Sequence, residues 1–337
     1  MQAFAFRSSR ITAAFALGLS VALSVPAIAR DATAQDMKFS FPLACSLGED
    51  CWITRYMDRG EGLDVADYTC RKNTENSHKG TDIAVANMER MRSGVPVLAA
   101  SNGTVLRFRD GMADISAKKQ GADALKGREC GNALILDHGN GWQTQYCHLK
   151  RGSLKVKEGD IVTAGDTVAQ IGLSGETEYP HLHFMVRKEG LDIDPFDGGA
   201  FERGCSTDTK GLWANPIPYQ KSILLPVQFG AGAPTSDTVW ESGAPTLSIS
   251  SEALILTARA FHVRRADLWH FEIRDPHGRL FLEKKKLINK DRQFHFQYFG
   301  RKKPKGGFTP GIWTGTVRIA PNSGEPITQI TKIEVKP

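Results

Sequence analysis

Five side chains in this 337-residue chain have types and spacings suited to metal-assisted chemistry. His78-Lys79-Gly80-Thr81-Asp82 sets an imidazole and a carboxylate four residues apart, and His181-Leu182-His183 follows much later. On a strand, residues i and i+2 point to the same face, so His181 and His183 can line one cleft. Two imidazoles and one carboxylate are a common ligand set for catalytic zinc, which keeps a coordination position open for water. Either short motif alone is more often an accident of core or surface histidines. A third element, Tyr146-Cys147-His148-Leu149, brings a further imidazole. The sequence has no H-E-x-x-H, which argues against a glutamate base of the thermolysin kind.

The elements that must position these residues read as strands. Val95 to Ala99, Thr104 to Phe108, Ala133 to Leu136, Ile161 to Val162, Val168 to Ile171 and Leu182 to Val186 are short apolar or alternating runs broken by Gly, Asp and Asn. Gly94-Val95-Pro96-Val97 leading to Gly103-Thr104-Val105 resembles Gly159-Asp160-Ile161-Val162 leading to Gly165-Asp166-Thr167-Val168, which suggests an internal duplication. The helix content is expected to be small, confined to about Asp114 to Leu125. After Leu224-Leu225-Pro226 comes the turn-rich Gly230-Ala231-Gly232-Ala233-Pro234, which reads as a domain boundary. Beyond it Thr246 to Ser250, Leu254 to Thr257, Trp269 to Ile273 and Trp313 to Ile319 alternate again, as in an immunoglobulin-like β-sandwich. The fold expected is all-β.

At the N-terminus, Arg7 and Arg10 precede a short apolar run, Ile11 to Leu23, and then Ala27-Ile28-Ala29. This is the pattern of a cleaved secretory signal over residues 1–29, and the run is too short for a spanning helix. Export to a periplasmic or extracellular space makes six cysteines read as disulfides. Asn140-Gly141 favours a tight hairpin that would bring Cys130 and Cys147 close across neighbouring strands. The connectivity of Cys45, Cys51, Cys70 and Cys205 is left open by their spacing.

The stretch from about His78 to Phe196 resembles the catalytic domain of the M23 peptidases, zinc endopeptidases of the lysostaphin and LytM type. The resemblance rests on His78-Lys79-Gly80-Thr81-Asp82, Gly103-Thr104-Val105, Gly131-Asn132-Ala133, Tyr146-Cys147-His148-Leu149, Gly172-Leu173-Ser174-Gly175 and His181-Leu182-His183-Phe184, in that order. It implies a barrel-like β-sheet catalytic domain over 36–220, one zinc ion per chain on His78, Asp82 and His183, and His148 and His181 beside it as acid–base or oxyanion-binding groups. It also implies that the substrates are peptides of bacterial peptidoglycan. Relatives without catalysis usually activate other wall hydrolases and lack part of the zinc set, whereas here the set is complete. The other readings are a non-catalytic wall-binding protein or amidase activator, and a secreted protease of general specificity.

Composition sets limits on both parts. Hydrophobic residues at 41%, charged at 24% and aromatic at 9% fit a globular protein and exclude a disordered, collagen-like or polytopic membrane chain. The net charge of +6 is too mild to imply nucleic-acid binding. It is divided unevenly. Residues 30–220 carry 23 basic and 27 acidic residues, and 221–337 carry 18 and 10. Residues 221–337 are therefore expected to be an accessory basic β-sandwich attracted to an anionic surface, through Lys284-Lys285-Lys286 and Arg301-Lys302-Lys303-Pro304-Lys305, that leaves the zinc chemistry untouched. The four histidines of this part, His262, His270, His277 and His295, read as ordinary sheet-surface residues, and His138 as a structural or solvated turn residue.

Overall fold

Alternating apolar residues draw most of the chain into strands, as seen in a computed structural model that describes residues 37–205, 210–241, 246–322 and 324–337. The expected signal segment lies outside the described residues. The first part contains β1 (Cys51–Arg55), β2 (Thr81–Val85), β3 (Pro96–Leu98), β4 (Gly103–Arg109), β5 (Asn132–Gly139), β6 (Trp142–Leu149), β7 (Ile161–Val162), β8 (Thr167–Gln170), β9 (His181–Lys188) and β10 (Leu191–Ile193). Three short helices, α1 (Met88–Arg92), α2 (Ala117–Gln120) and α3 (Ala122–Leu125), interrupt them. The latter two fall inside the expected helical stretch as two separate turns, parted by Gly121, whose φ of 82° no helix continues.

One sheet, in the order β1-β2-β9-β6-β5-β4-β7 with β10 on β9, forms the platform of the first part. In β9, Leu182, Phe184 and Val186 are fully buried, which turns His181 and His183 to the opposite face. Burial of each such side chain stabilises by about 1.5–3 kcal/mol. A one-residue slip would exchange the two sets, so this apolar triplet fixes where the histidines point. β5 and β6 form the expected hairpin, joined by Asn140 and Gly141 at φ 49° and 77°, both in the left-handed region that such a turn demands. The two similar segments pair with each other, Val97 with Ala169 across β3 and β8 and Gly103 with Val162 across β4 and β7. Disulfides join Cys130 to Cys147, Cys45 to Cys51 and Cys70 to Cys205.

The second part contains β11 (Ile223–Leu224), β12 (Gln228–Gly230), β13 (Leu247–Ser248), β14 (Ala253–Val263), β15 (Leu268–Arg274), β16 (Leu280–Leu287), β17 (Arg292–Lys302), β18 (Gly311–Ala320) and β19 (Ile327–Lys336). β11, β14, β12 and β17 make one sheet, and β13-β19-β18-β15-β16 another. Leu256, Phe271, Trp313 and Val317 belong to the core between them. A Cβ on Gly315 would lie 2.7 Å from Leu256 and 2.8 Å from Phe229, so the missing side chain is what lets the two sheets approach there. The fold is all-β, as expected.

The two parts share hydrophobic surface. Ile223, Leu225, Val239, Trp240 and Phe261 pack in the same buried cluster as Ile83 and Leu182 of the first part. His262 is not the surface residue its sequence setting suggested. It is fully buried at φ 59°, with Nδ1 3.0 Å from the Gln220 carbonyl and Nε2 3.0 Å from the Thr54 carbonyl. The left-handed backbone at the end of β14 turns its ring out of the sandwich and into the first part, which the β-alternation alone would not reveal. His138, by contrast, is a structural residue, bonded to the Asn102 carbonyl and Thr144 Oγ1.

Candidate metal centre

The sheet register builds the site. Asp82 on β2 lies directly opposite His183 on β9, and Ala84 opposite His181, so the carboxylate and both imidazoles share one face. His78 precedes β2 and reaches back over Gly80, whose hypothetical Cβ would sit 2.5 Å from the Phe184 carbonyl and 2.9 Å from His183 Nε2. Glycine at this position is what allows the His78 loop to lie against β9.

Three donor atoms converge. His78 Nε2 is 3.0 Å from Asp82 Oδ1 and 3.1 Å from His183 Nδ1, and His183 Nδ1 is 2.8 Å from the same oxygen. Donors held at about 2.0–2.1 Å around a tetrahedral ion stand about 3.3 Å apart, so the three fit a zinc-sized cation within a few tenths of an ångström. The surroundings suit ligation. His78 Nδ1–H donates to the Tyr56 carbonyl at 2.7 Å, which leaves the Nε2 lone pair aimed at the cluster. Asp82 Oδ2 accepts from Arg55 Nη1 at 3.2 Å, and Arg55 also bonds Glu75 at 2.5 Å.

Charge and burial compete here. Burial works to raise the Asp82 carboxyl, but the His78 and His181 imidazoles and its hydrogen bonds hold it well below the usual range. Burial likewise works to lower His78, and the Asp82 carboxylate reverses this, leaving it raised. His183 is lowered, mainly by burial. The Asp82 carboxylate is thus a fixed negative charge at the centre of three imidazoles.

His148 and His181 flank the cluster, with ring centroids 4.7 Å apart. His148 Nδ1–H donates to the Ser174 carbonyl at 2.8 Å, and His181 Nδ1–H to the Tyr179 carbonyl at 3.0 Å beside Thr177 Oγ1 at 3.1 Å. Both rings therefore turn Nε2 to the cleft side, and His181 Nε2 lies 3.5 Å from Asp82 Oδ1. Burial, with His181 and His183 nearby, drives His148 well below the ordinary histidine range, so its resting form is neutral. Its φ of 60° lies just after Cys147, the last β6 residue paired with β9, where strict alternation would turn the ring away from the cleft. The Cys130–Cys147 disulfide and the His148 N–H bond to the Cys130 carbonyl hold that kink.

Residues 76–195 match the description of peptidase family M23. This segment is an M23 peptidase-family region. Among curated relatives, the lipoprotein NlpD/LppB homolog of Pseudomonas aeruginosa is 34% identical over 118 residues, 35% of this chain and 32% of that protein. The peptidoglycan DD-endopeptidase ShyB of Vibrio cholerae is 30% identical over 35% of this chain and 22% of its own length. The DD-carboxypeptidase/endopeptidase Mpg of Neisseria meningitidis is 32% identical over 32% of this chain and 22% of its own. The matched stretches thus span about a third or less of each of these relatives, and the family match ends at residue 195 of this chain.

All five residues singled out in the sequence meet in the M23 region's cleft, a cavity of about 870 Å³. Sequence reasoning missed several others. Arg55, which holds Asp82, carries no signal beyond being the one cation in the strand Cys51–Arg55. Tyr179, which with Pro180 leads into β9, stacks its ring on His181 at 4.6 Å. Ala117 and Glu129, ahead of the β5–β6 hairpin, also line the cleft. Trp240, Phe294 and Phe296 line the same cavity from beyond residue 220, where no motif pointed to the site.

Proposed function

We propose that this chain is a secreted zinc metalloendopeptidase that hydrolyses peptide bonds of peptidoglycan, with His78, Asp82 and His183 holding one zinc ion. The observation that carries this reading is the convergence of His78 Nε2, Asp82 Oδ1 and His183 Nδ1 beside two further imidazoles whose Nδ1–H groups are held by backbone carbonyls. Zinc, when bound, supplies Lewis acidity, which activates water near neutral pH and polarises a carbonyl. The chain's own residues do the rest. Arg55 and the Tyr56 carbonyl orient Asp82 and His78. His148 and His181 divide two tasks, taking and returning a proton and donating to the oxygen of the scissile carbonyl as charge builds on it. Residues 36–220 make up the peptidase domain, and 221–337 a basic sandwich attracted to the anionic wall. Three disulfides among the described residues support work in an oxidising space outside the cytoplasm.

The test is digestion of purified peptidoglycan by the zinc-loaded full chain, with and without chelator, followed by mass analysis of released peptides. Chelator-sensitive release that His183→Ala abolishes is the expected result. Wall binding with no peptide released would overturn the enzymatic reading in favour of a non-catalytic binder or amidase activator. Cleavage of casein with wall left intact would make it a general protease.

A further inference from the structure

Four rings form a continuous column from the cleft into the second part. The Tyr179 ring lies on His181 with centroids 4.6 Å apart and planes 26° apart. Trp240 stacks on Tyr179 at 5.0 Å and 20°, and Phe294 on Trp240 at 5.0 Å and 26°. Two of these rings come from beyond residue 220, and His181 ends the column.

The column is anchored at several points. The Trp240 carbonyl accepts from the N–H of Met88 at 2.9 Å. The buried Arg259 lies over the Trp240 ring, 5.1 Å from its centroid, and donates to the Ala86 carbonyl at 2.7 Å, just after β2. The Tyr179 hydroxyl is 3.2 Å from Thr54 Oγ1 on β1. Trp240 is 5% exposed, so its ring has no room to turn away, and the plane it offers Tyr179 is fixed. A histidine that must aim Nε2 at a reacting group needs its ring plane held as well as its Nδ1–H bond, and a stacked partner supplies that.

Phe294 and Phe296 differ from Trp240 in exposure. They alternate on β17 so that both face the cleft, and both are half-buried and line the cavity that holds the five site residues. Their rings carry neither donor nor acceptor, so what they recognise is alkyl surface, such as the methyl and aliphatic side chains of a short peptide.

We propose that the second part completes the active cleft: Trp240 is a positioning residue that holds the Tyr179 and His181 rings, and Phe294 and Phe296 form an apolar subsite for the alkyl side chains of the peptide being cut. This rests on the peptidase reading above and departs from the expectation that residues 221–337 leave the chemistry untouched.

The experiment uses the full chain, zinc-loaded, with a soluble peptide fragment of peptidoglycan as substrate. Phe296→Ala should raise KM about fivefold or more, as expected for losing alkyl contacts, with kcat within about twofold. Trp240→Leu should lower kcat about tenfold or more at normal zinc content, and Trp240→Phe, which keeps a ring to stack, should restore most of it. Wild-type kinetics in both Phe296→Ala and Trp240→Leu would overturn the proposal, as would equal losses in Trp240→Leu and Trp240→Phe. Should Trp240→Leu not fold, the KM of Phe296→Ala and the kcat of Trp240→Phe decide between the same outcomes. If the wild-type chain bound zinc yet cut no wall fragment, the peptidase reading would fall separately. The column would then be judged by the His181 ring proton resonances, displaced in a folded Trp240 variant if the stack holds the ring and unchanged if it does not.

Discussion

Gly80→Ala tests whether the candidate site depends on close approach between the His78 loop and β9. The added Cβ would meet the Phe184 carbonyl oxygen at 2.5 Å, His183 Nε2 at 2.9 Å and His183 Cε1 at 3.0 Å. Carbon and carbonyl oxygen ordinarily approach no closer than about 3.3 Å, so the backbone of β9 and the loop must part by roughly 0.8 Å. One of the three obstructing atoms is backbone within a central strand, and the other two belong to a proposed ligand. Overpacking of this kind costs about 1–3 kcal/mol, offset by about 0.4–1 kcal/mol from the stiffer unfolded chain. The net is a fall in Tm of a few degrees, at roughly 2–4 °C per kcal/mol for a protein of this size. The larger effect falls on the metal. Ligand distances tolerate about 0.2 Å, so a displacement several times greater at His183 should weaken zinc binding about tenfold or more. Gly306→Ala, where a Cβ would meet nothing within 4 Å, is the control and should change neither quantity. The assays are thermal unfolding and competition for zinc against a chromogenic chelator. Wild-type zinc affinity and Tm in Gly80→Ala would refute the reasoning.

Two other outcomes follow from the same geometry. His148→Ala and His181→Ala should each retain most of the zinc while losing about a hundredfold in turnover, whereas His183→Ala should lose metal and activity together; equal metal loss in all three would show the roles misassigned. His262 is buried between two carbonyls and burial pushes its imidazole down to about 3, while the unfolded chain takes up that proton near 6.5. Stability from this residue is therefore intact well above pH 6.5 and declines as pH falls towards 3, by about 2 kcal/mol between pH 7.5 and 5. Urea unfolding at pH 7.5 and 5 should show a loss larger by about that amount in the native chain than in His262→Gln, and equal losses would count against it.

What the sequence revealed about the site was local or carried by register. His181-x-His183 needs nothing beyond the two-residue period of a strand, and Leu182, Phe184 and Val186 announce which face it takes. The Asn140-Gly141 turn likewise announces the β5–β6 hairpin and, through it, the Cys130–Cys147 bridge. Arg55 and Trp240 stayed hidden because their importance is a matter of what lies across from them, many residues away. His262 was read as a surface residue because alternation along β14 cannot foresee a left-handed residue at its end. The stacking of Trp240 on Tyr179 depends on how the sandwich docks, and no spacing within either part encodes that.

The Thr54–His262 contact also orders events in time. The two residues are 208 positions apart in the chain. At a synthesis rate of about 5–20 residues per second, roughly 10–40 s pass between the emergence of one and the other. Once His183 has emerged, 79 residues ahead of His262, the five site residues already exist, yet the Thr54 carbonyl lacks its imidazole and the cleft lacks its aromatic wall. Long-range pairing of this sort is slow, because loop closure must precede the contacts that repay it. Completion of the cleft is thus a late step in the life of each molecule, tied to arrival of the last strands, and a chain broken off before β14 carries the five site residues without a finished cleft.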